Sequence, residues 1–158
     1  MKHLFEYLIG GKKIGKAARC KFHPQTKKEL QELLKELIKE RGMDGDFNDI
    51  DTSQIDDMSS LFESSRLFDT SDFNGDISEW NTSNVENMEK MFYDCKKFNQ
   101  DISKWDVSNV KWMDYMFSGS GFNKDISKWK TTSIKSVHGI FTKCPLLNKP
   151  EYQPTFKF

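Results

Sequence analysis

The chain has 158 residues, of which 36% are hydrophobic, 13% aromatic and 30% charged. This length favours a single domain, because one hydrophobic core usually serves about 100–200 residues. The 24 basic residues balance 24 acidic residues, so the chain lacks the strong net charge expected of a general nucleic-acid or membrane-surface binder. Its 13 Phe and 4 Trp supply the large side chains that a core requires, which argues against disorder.

The charge is unevenly distributed along the sequence. Residues 1–28 hold eight Lys or Arg against one Glu, a net charge of +7, and residues 43–79 hold eleven acids against one base, a net charge of −10. Residues 96–143 hold nine Lys against four Asp, a net charge of +5. The charge is therefore segmented, with a basic leader, an acidic section and a basic later section.

The first ten residues, MKHLFEYLIG, contain an apolar stretch of about six residues that Glu6 interrupts, which is too short for a secretory signal. Alone, this segment predicts a short amphipathic helix or a disordered tail. It resembles the capsid-targeting sequence of internal head proteins from T-even-type phages, because Met1, Lys2, Glu6, Tyr7 and Leu8 match that motif. The resemblance implies a location in the virion or in the host-cell cytoplasm. The candidate targeting residues are Leu4, Phe5, Glu6, Tyr7 and Leu8.

Residues 1–23 are interpreted as a leader, with a possible edge strand around Cys20 and Phe22. The next segment, 24–42, predicts a capping helix. Thr26 and Glu29 have the spacing of a capping box, five apolar residues recur on one face, and Gly42 ends the pattern. A helix of this kind can cover the exposed end of a stack of repeats.

Residues 43–146 consist of repeats. Residues 73–97, 98–121 and 122–145 share the pattern FNxDISxW followed by a pair of large apolar residues, and residues 47–62 hold a shortened copy. The repeat lengths of 24–25 residues predict an α/β solenoid, a leucine-rich-repeat-like right-handed coil in which each repeat forms a short strand and a helical return. Equivalent Phe, Ile and Trp residues would then stack on one another.

These repeats resemble the BspA-like leucine-rich repeats, also described as a mycoplasma-type repeat family of unknown function. The resemblance implies a binding scaffold, commonly on surface proteins, and it implies no catalytic residues. After the repeats, three prolines prevent another coil, and residues 147–158 predict a capping tail in which Tyr152, Phe156 and Phe158 fold back over the last repeat.

Aspartates recur at one position of each repeat, at Asp76, Asp101 and Asp125. Stacked carboxylates repel one another unless they accept backbone hydrogen bonds or share a cation such as Ca²⁺. We favour the backbone explanation, because Asp commonly bonds to turn backbone in this way and the glycine-rich motif of calcium-binding repeats is absent. No cofactor is expected.

No sequence motif indicates an enzyme. The three cysteines lack CxxC spacing, so neither a disulfide framework nor a zinc site is predicted. Cys95 and Cys144 occupy a small-residue position of the repeat, and His138 occupies a variable one. No known nucleophile, phosphate-binding or metalloprotease motif occurs.

Comparison between repeats separates conserved scaffold positions from variable surface positions. Trp112 and Tyr115 replace small or polar residues of the other repeats, which suggests exposed anchors for a partner, because both types are common at interfaces. Packing against the tail or the capping helix is the alternative. Lys104, Lys128 and Lys130 lie at variable positions and would form a basic rim.

The sequence therefore predicts a non-enzymatic protein-interaction module that belongs to a phage virion or is otherwise phage-encoded. Its partners would be other proteins, including virion proteins, and the charge polarity allows end-to-end contact between copies. No nucleic acid or membrane is expected as a partner. The alternative is a bacterial cell-surface or host-binding adhesin, which requires an export route that the sequence does not reveal.

Overall fold

A computed structural model describes residues 20–63 and 69–157. Its one α-helix among these residues, α1 (Lys27–Arg41), confirms the helix predicted within 24–42. The Thr26 hydroxyl accepts a hydrogen bond from the Glu29 N–H, and Gly42 ends the helix with a positive φ of 79°. The apolar face of α1 packs into the core through Leu30, Leu33, Leu34, Leu37 and Ile38.

The predicted α/β solenoid, with a strand and a helical return in each repeat, is wrong. Besides α1, the described residues form two 3₁₀ helices, Pro145–Asn148 and Pro150–Tyr152, and they contain no β-strand and no sheet. Isolated parallel bridges take the place of strands between successive repeats, for example between Asn87 and Trp112. The repeats are therefore layers of turns, and the leucine-rich-repeat-like coil is not the architecture of this chain.

Left-handed residues explain why neither strands nor helical returns form. Lys90 and Tyr115 have φ of 53° and 55° at one repeat position, and Asp94 and Gly119 have φ of 57° and 70° at another. A left-handed residue ends both a helix and an extended strand, because its backbone reverses direction locally. Around these positions the chain forms short turns in place of longer elements. In one of them the Met91 N–H donates to the Met88 carbonyl at 3.2 Å.

The core consists of columns of equivalent aromatic side chains. Phe62, Phe92, Phe117 and Phe141 form one column, with neighbouring ring centroids 5.5, 5.7 and 6.0 Å apart. A second column, also with neighbouring rings in contact, contains Phe47, Phe73, Phe98 and Phe122. The columns also touch each other, as where Phe92 and Phe98 stack at 3.8 Å. Equivalent residues thus stack on one another, as the repeat register predicts.

Tryptophans tie the layers together from a third column. Trp80 and Trp105 lie parallel, with an interplanar angle of 1° and centroids 6.5 Å apart. The indole N–H of Trp80 donates to the Phe47 carbonyl at 3.0 Å, and that of Trp105 donates to the Ile77 carbonyl at 3.2 Å. Each buried indole is therefore satisfied by the backbone of the preceding repeat.

Different segments cover the two ends of the stack. At the first repeat, α1 lies over the core, and Phe22 makes a single parallel bridge with Ile50 in place of the predicted edge strand. At the last repeat, the Ile126 N–H donates to the Tyr152 carbonyl at 2.9 Å. Tyr152 and Phe156 pack against the core, whereas Phe158 and the predicted targeting residues lie outside the described residues.

Candidate interaction surface

The recurring aspartates are acceptors for turn backbone. The Asp76, Asp101 and Asp125 carboxylates accept hydrogen bonds from the N–H groups two residues later, at 2.9–3.0 Å. Hydrogen bonds from the Ser103 hydroxyl and N–H lower the pKa of Asp101, which keeps it ionised. These hydrogen bonds are the ones that the backbone explanation predicts. The described residues contain no cluster of three or more His, Cys, Asp or Glu that could hold a metal ion.

Asparagines link the same corner of successive layers. The Asn74 side-chain oxygen accepts the Asn99 N–H, and the Asn99 side-chain oxygen accepts the Asn123 N–H, both at 2.9 Å. The Asn123 side-chain oxygen, at the last layer, is buried and has no partner among the described residues. This column is structural, because Asn74 and Asn99 each close the junction to the next repeat.

Cys95 and Cys144, the two cysteines within the repeats, lie in surroundings that disfavour a reactive thiolate. Cys95 is fully buried, and its thiol donates to the Phe62 carbonyl at 2.8 Å. Burial raises the pKa of Cys95 to about 12 and also raises the pKa of Cys144. Neither thiol is positioned as a nucleophile, which agrees with their interpretation as small packing residues.

Trp112 is one of two large hydrophobic residues that are exposed in the part of the chain the structure describes. Its side chain is 39% exposed, and Leu147, with 55% exposed, is the other. Two ammonium groups flank the ring, with Lys111 Nζ at 5.9 Å and Lys135 Nζ at 6.0 Å from its centroid. Through these cation–π contacts, the exposed Trp112 ring forms an apolar surface that is bordered by positive charge.

Tyr115 does not share this exposure. Its ring lies edge-on to His138, with centroids 5.3 Å apart, and covers Gly139 so closely that a Cβ at Gly139 would lie 2.5 Å from Tyr115 Cε1. Tyr115 thus packs on the next repeat, neither on the tail nor on α1. Its placement offers less surface to a partner than that of Trp112.

The three lysines of the predicted basic rim are exposed, but the Trp112 ring has other lysines beside it. Lys104 lines a cleft of about 540 Å³ together with Glu79 and Asp106. Lys128 and Lys130 follow one repeat later at the positions of Lys104 and Asp106. The lysines that flank Trp112 are therefore not the lysines of the predicted basic rim.

The flanking lysines belong to a row of equivalent positions that sequence reasoning missed. We call Asp56, Glu86, Lys111 and Lys135 the charged row, since each lies one residue before a bridged position. Lys111 Nζ contacts Glu86 Oε2 at 2.6 Å across the junction of two repeats. The signal was present in the sequence, because the row changes from acidic to basic in step with the repeat.

Comparison with known proteins identifies the family. A family model described as "Mycoplasma protein of unknown function, DUF285" matches residues 30–153. The chain belongs to this family, because the match includes most of its length. No curated protein and no solved structure matches it. No helix among the described residues is both long and apolar enough to cross a bilayer.

Proposed function

We propose that the chain is a non-enzymatic module that binds another protein through the surface around Trp112. The observation that carries the proposal is the exposed Trp112 ring between Lys111 and Lys135. Indole rings often supply much of the energy of protein interfaces, and adjacent lysines favour an acidic partner surface. Bridges to Asn87 and Ser136 fix the backbone of Trp112, so less conformational entropy is lost on binding.

The proposed site differs in composition from the predicted one. Lys111 and Lys135 take the role first assigned to Lys104, Lys128 and Lys130, and Tyr115 supports the surface through its contact with Gly139. The three other lysines extend the basic surface of the later repeats. A BspA-like relation of the repeats agrees with a binding role and stays part of this proposal.

Affinity purification with the full chain as bait tests the site. We expect Trp112→Ala to retain at least tenfold less of the bound protein than the wild type, because truncating a central aromatic anchor costs about 2 kcal/mol or more. Leu147→Ala is the matched control, since Leu147 is the other exposed large hydrophobic residue. Equal recovery with Trp112→Ala and Leu147→Ala would contradict the proposal.

We propose further that this module is a virion component. The support is the resemblance of MKHLFEYLIG to capsid-targeting sequences, through residues that the structure does not describe. Mass spectrometry of purified phage particles should detect the chain, and deletion of residues 1–10 should abolish its incorporation. Loss of the chain after surface proteolysis of intact bacteria would instead favour the adhesin.

A further inference from the structure

The two ends of the layered backbone carry complementary hydrogen-bonding groups. Between repeats, N–H groups point toward the later layer, as where the Met88 N–H donates to the Trp112 carbonyl and the Met113 N–H to the Ser136 carbonyl, at 2.9 and 3.0 Å. The same register recurs two and four residues later in each repeat. At these positions every junction uses N–H groups of the earlier repeat and carbonyls of the later one. At the charged row the direction is reversed, as where the Lys111 N–H donates to the Glu86 carbonyl at 2.8 Å.

The last repeat leaves its donors without acceptors. The N–H groups of Val137, Gly139, Phe141 and Lys143 occupy the equivalent positions, and none of them donates a hydrogen bond to any described residue. The C-terminal tail covers a different part of the layer, because its bonds reach Ile126 and Thr131. An N–H group without an acceptor is unfavourable at Phe141, because this residue is only 4% exposed.

The first repeat shows the opposite deficit. The carbonyls of Asp57, Ser59 and Leu61 stand where later repeats accept the interlayer bonds, yet within the described ranges they accept none. Leu61 is fully buried, so only Asp57 and Ser59 are partly accessible to a second copy. Lys27, from the first turn of α1, contacts the side chains of Asp57 and Ser59 and leaves these carbonyls without a partner. The first layer thus offers acceptors in the spacing of the donors at the last layer.

The charged row has the same complementarity. Asp56 begins the row at the first layer and Lys135 ends it at the last, and both are exposed. A second copy placed beyond the last layer would bring its Asp56 beside Lys135. That contact would repeat the Glu86–Lys111 pair, which already joins two layers within the chain.

We infer that copies of this chain associate head to tail. The N–H groups of Val137 and Gly139 donate to the carbonyls of Asp57 and Ser59 in the next copy, and Lys135 pairs with Asp56 across the same junction. Unpaired backbone edges are common sites of such association. Because the contact joins two different surfaces, each dimer keeps both ends free, and growth beyond the dimer follows unless the ring closes.

Sedimentation velocity of the full chain over a concentration series tests this inference. We expect the weight-average mass to rise from 18.5 kDa past that of a dimer as concentration increases, and to fall again in 0.5 M NaCl, which screens the Asp56–Lys135 contact. A mass of 18.5 kDa at every concentration, or a plateau at the dimer, would overturn the inference.

Charge reversal separates this junction from nonspecific attraction. Asp56→Lys alone and Lys135→Asp alone should each weaken association at least tenfold, whereas mixing the two variants or combining both changes should restore it. Lys128→Asp is the control, because Lys128 is exposed but lies outside the charged row. Failure of the combined variant to recover would overturn the inference, with circular dichroism used to verify that each variant is folded. Lys135 also flanks Trp112, so Asp56→Lys, which lies outside that surface, is the variant that separates the two proposals.

Discussion

The middle layers and the two ends of this chain use the same repeat in different ways. In the middle, Phe92 has aromatic neighbours above, below and beside it, and each Trp donates to the preceding layer. At the first layer a 15-residue helix replaces the missing neighbour, whereas at the last layer two 3₁₀ helices and an extended tail do so.

The two covering segments differ in which contacts of a neighbouring repeat they replace, either the apolar contacts of the core or the hydrogen bonds. Helix α1 supplies five buried apolar side chains, so it continues the core but not the backbone bonds. The tail accepts the Ile126 N–H and the Thr131 hydroxyl, yet the N–H groups of Val137, Gly139, Phe141 and Lys143 find no acceptor among the described residues. Stability therefore concentrates in the middle layers, and free bonding capacity concentrates at the ends.

Truncating a middle aromatic should produce the largest effect. Phe92→Ala removes a fully buried ring that contacts four other rings, and we expect a loss of about 3–5 kcal/mol in the free energy of unfolding. Tyr152→Ala, in the half-buried tail, should cost about 1 kcal/mol, in line with the smaller area that it buries. Urea unfolding compares the two variants, and equal losses would contradict the difference between middle and end.

Acidification should weaken the turns in all layers. The pKa of Asp106 is lowered by hydrogen bonds from the Ser108 hydroxyl and N–H, as is that of Asp101 by Ser103. Because the folded pKa lies below the unfolded value of about 3.9, this contribution is complete above about pH 5 and is lost as the pH falls through the folded pKa.

Urea unfolding at several pH values measures this effect. The midpoint should fall between pH 5 and pH 3, and Asp101→Asn, which keeps an acceptor oxygen, should reduce the pH dependence. A midpoint that stays constant over this range would show that the turn carboxylates contribute no pH-dependent stability.

The smallest effect should come from completing a column of threonines. The hydroxyls of Thr52 and Thr82 each donate to a carbonyl of the next repeat at 2.9 Å, and Val107 interrupts the series. We expect Val107→Thr to donate to the Lys130 carbonyl and to raise the free energy of unfolding by about 1 kcal/mol.

The reverse change, Thr82→Val, serves as the control in the same urea titration and should lower stability by a similar amount. A destabilised Val107→Thr would mean that the hydroxyl at this position finds no acceptor.

Features with local causes were predicted well. The capping residues of α1 and its apolar face are close in sequence, and each Asp bonds an N–H only two residues away. The strands and helical returns were wrong, because Lys90 and Asp94 have left-handed backbone that their residue types do not announce. Both are non-glycine residues, for which this conformation is uncommon.

The candidate site was only partly predictable for a related reason. Trp112 and Tyr115 both interrupt the repeat pattern, but the next layer decides their exposure. Gly139 leaves room for the Tyr115 ring, whereas Trp112 lies between Lys111 and Lys135 and stays open to solvent. Contacts between positions 24 residues apart become visible only after the layers are stacked.

The sequence by itself determined the helix, the repeat length, the stacking partners of the aromatic residues and the turn-forming aspartates, since these depend on local bonds or on a fixed period. The tertiary structure decided that the layers are built from turns and that Trp112 is exposed. It also decided that, among the described residues, the two ends of the stack carry N–H and C=O groups without partners. Backbone direction and the fit of each layer on the next set these properties, and neither is encoded in the identity of a single residue.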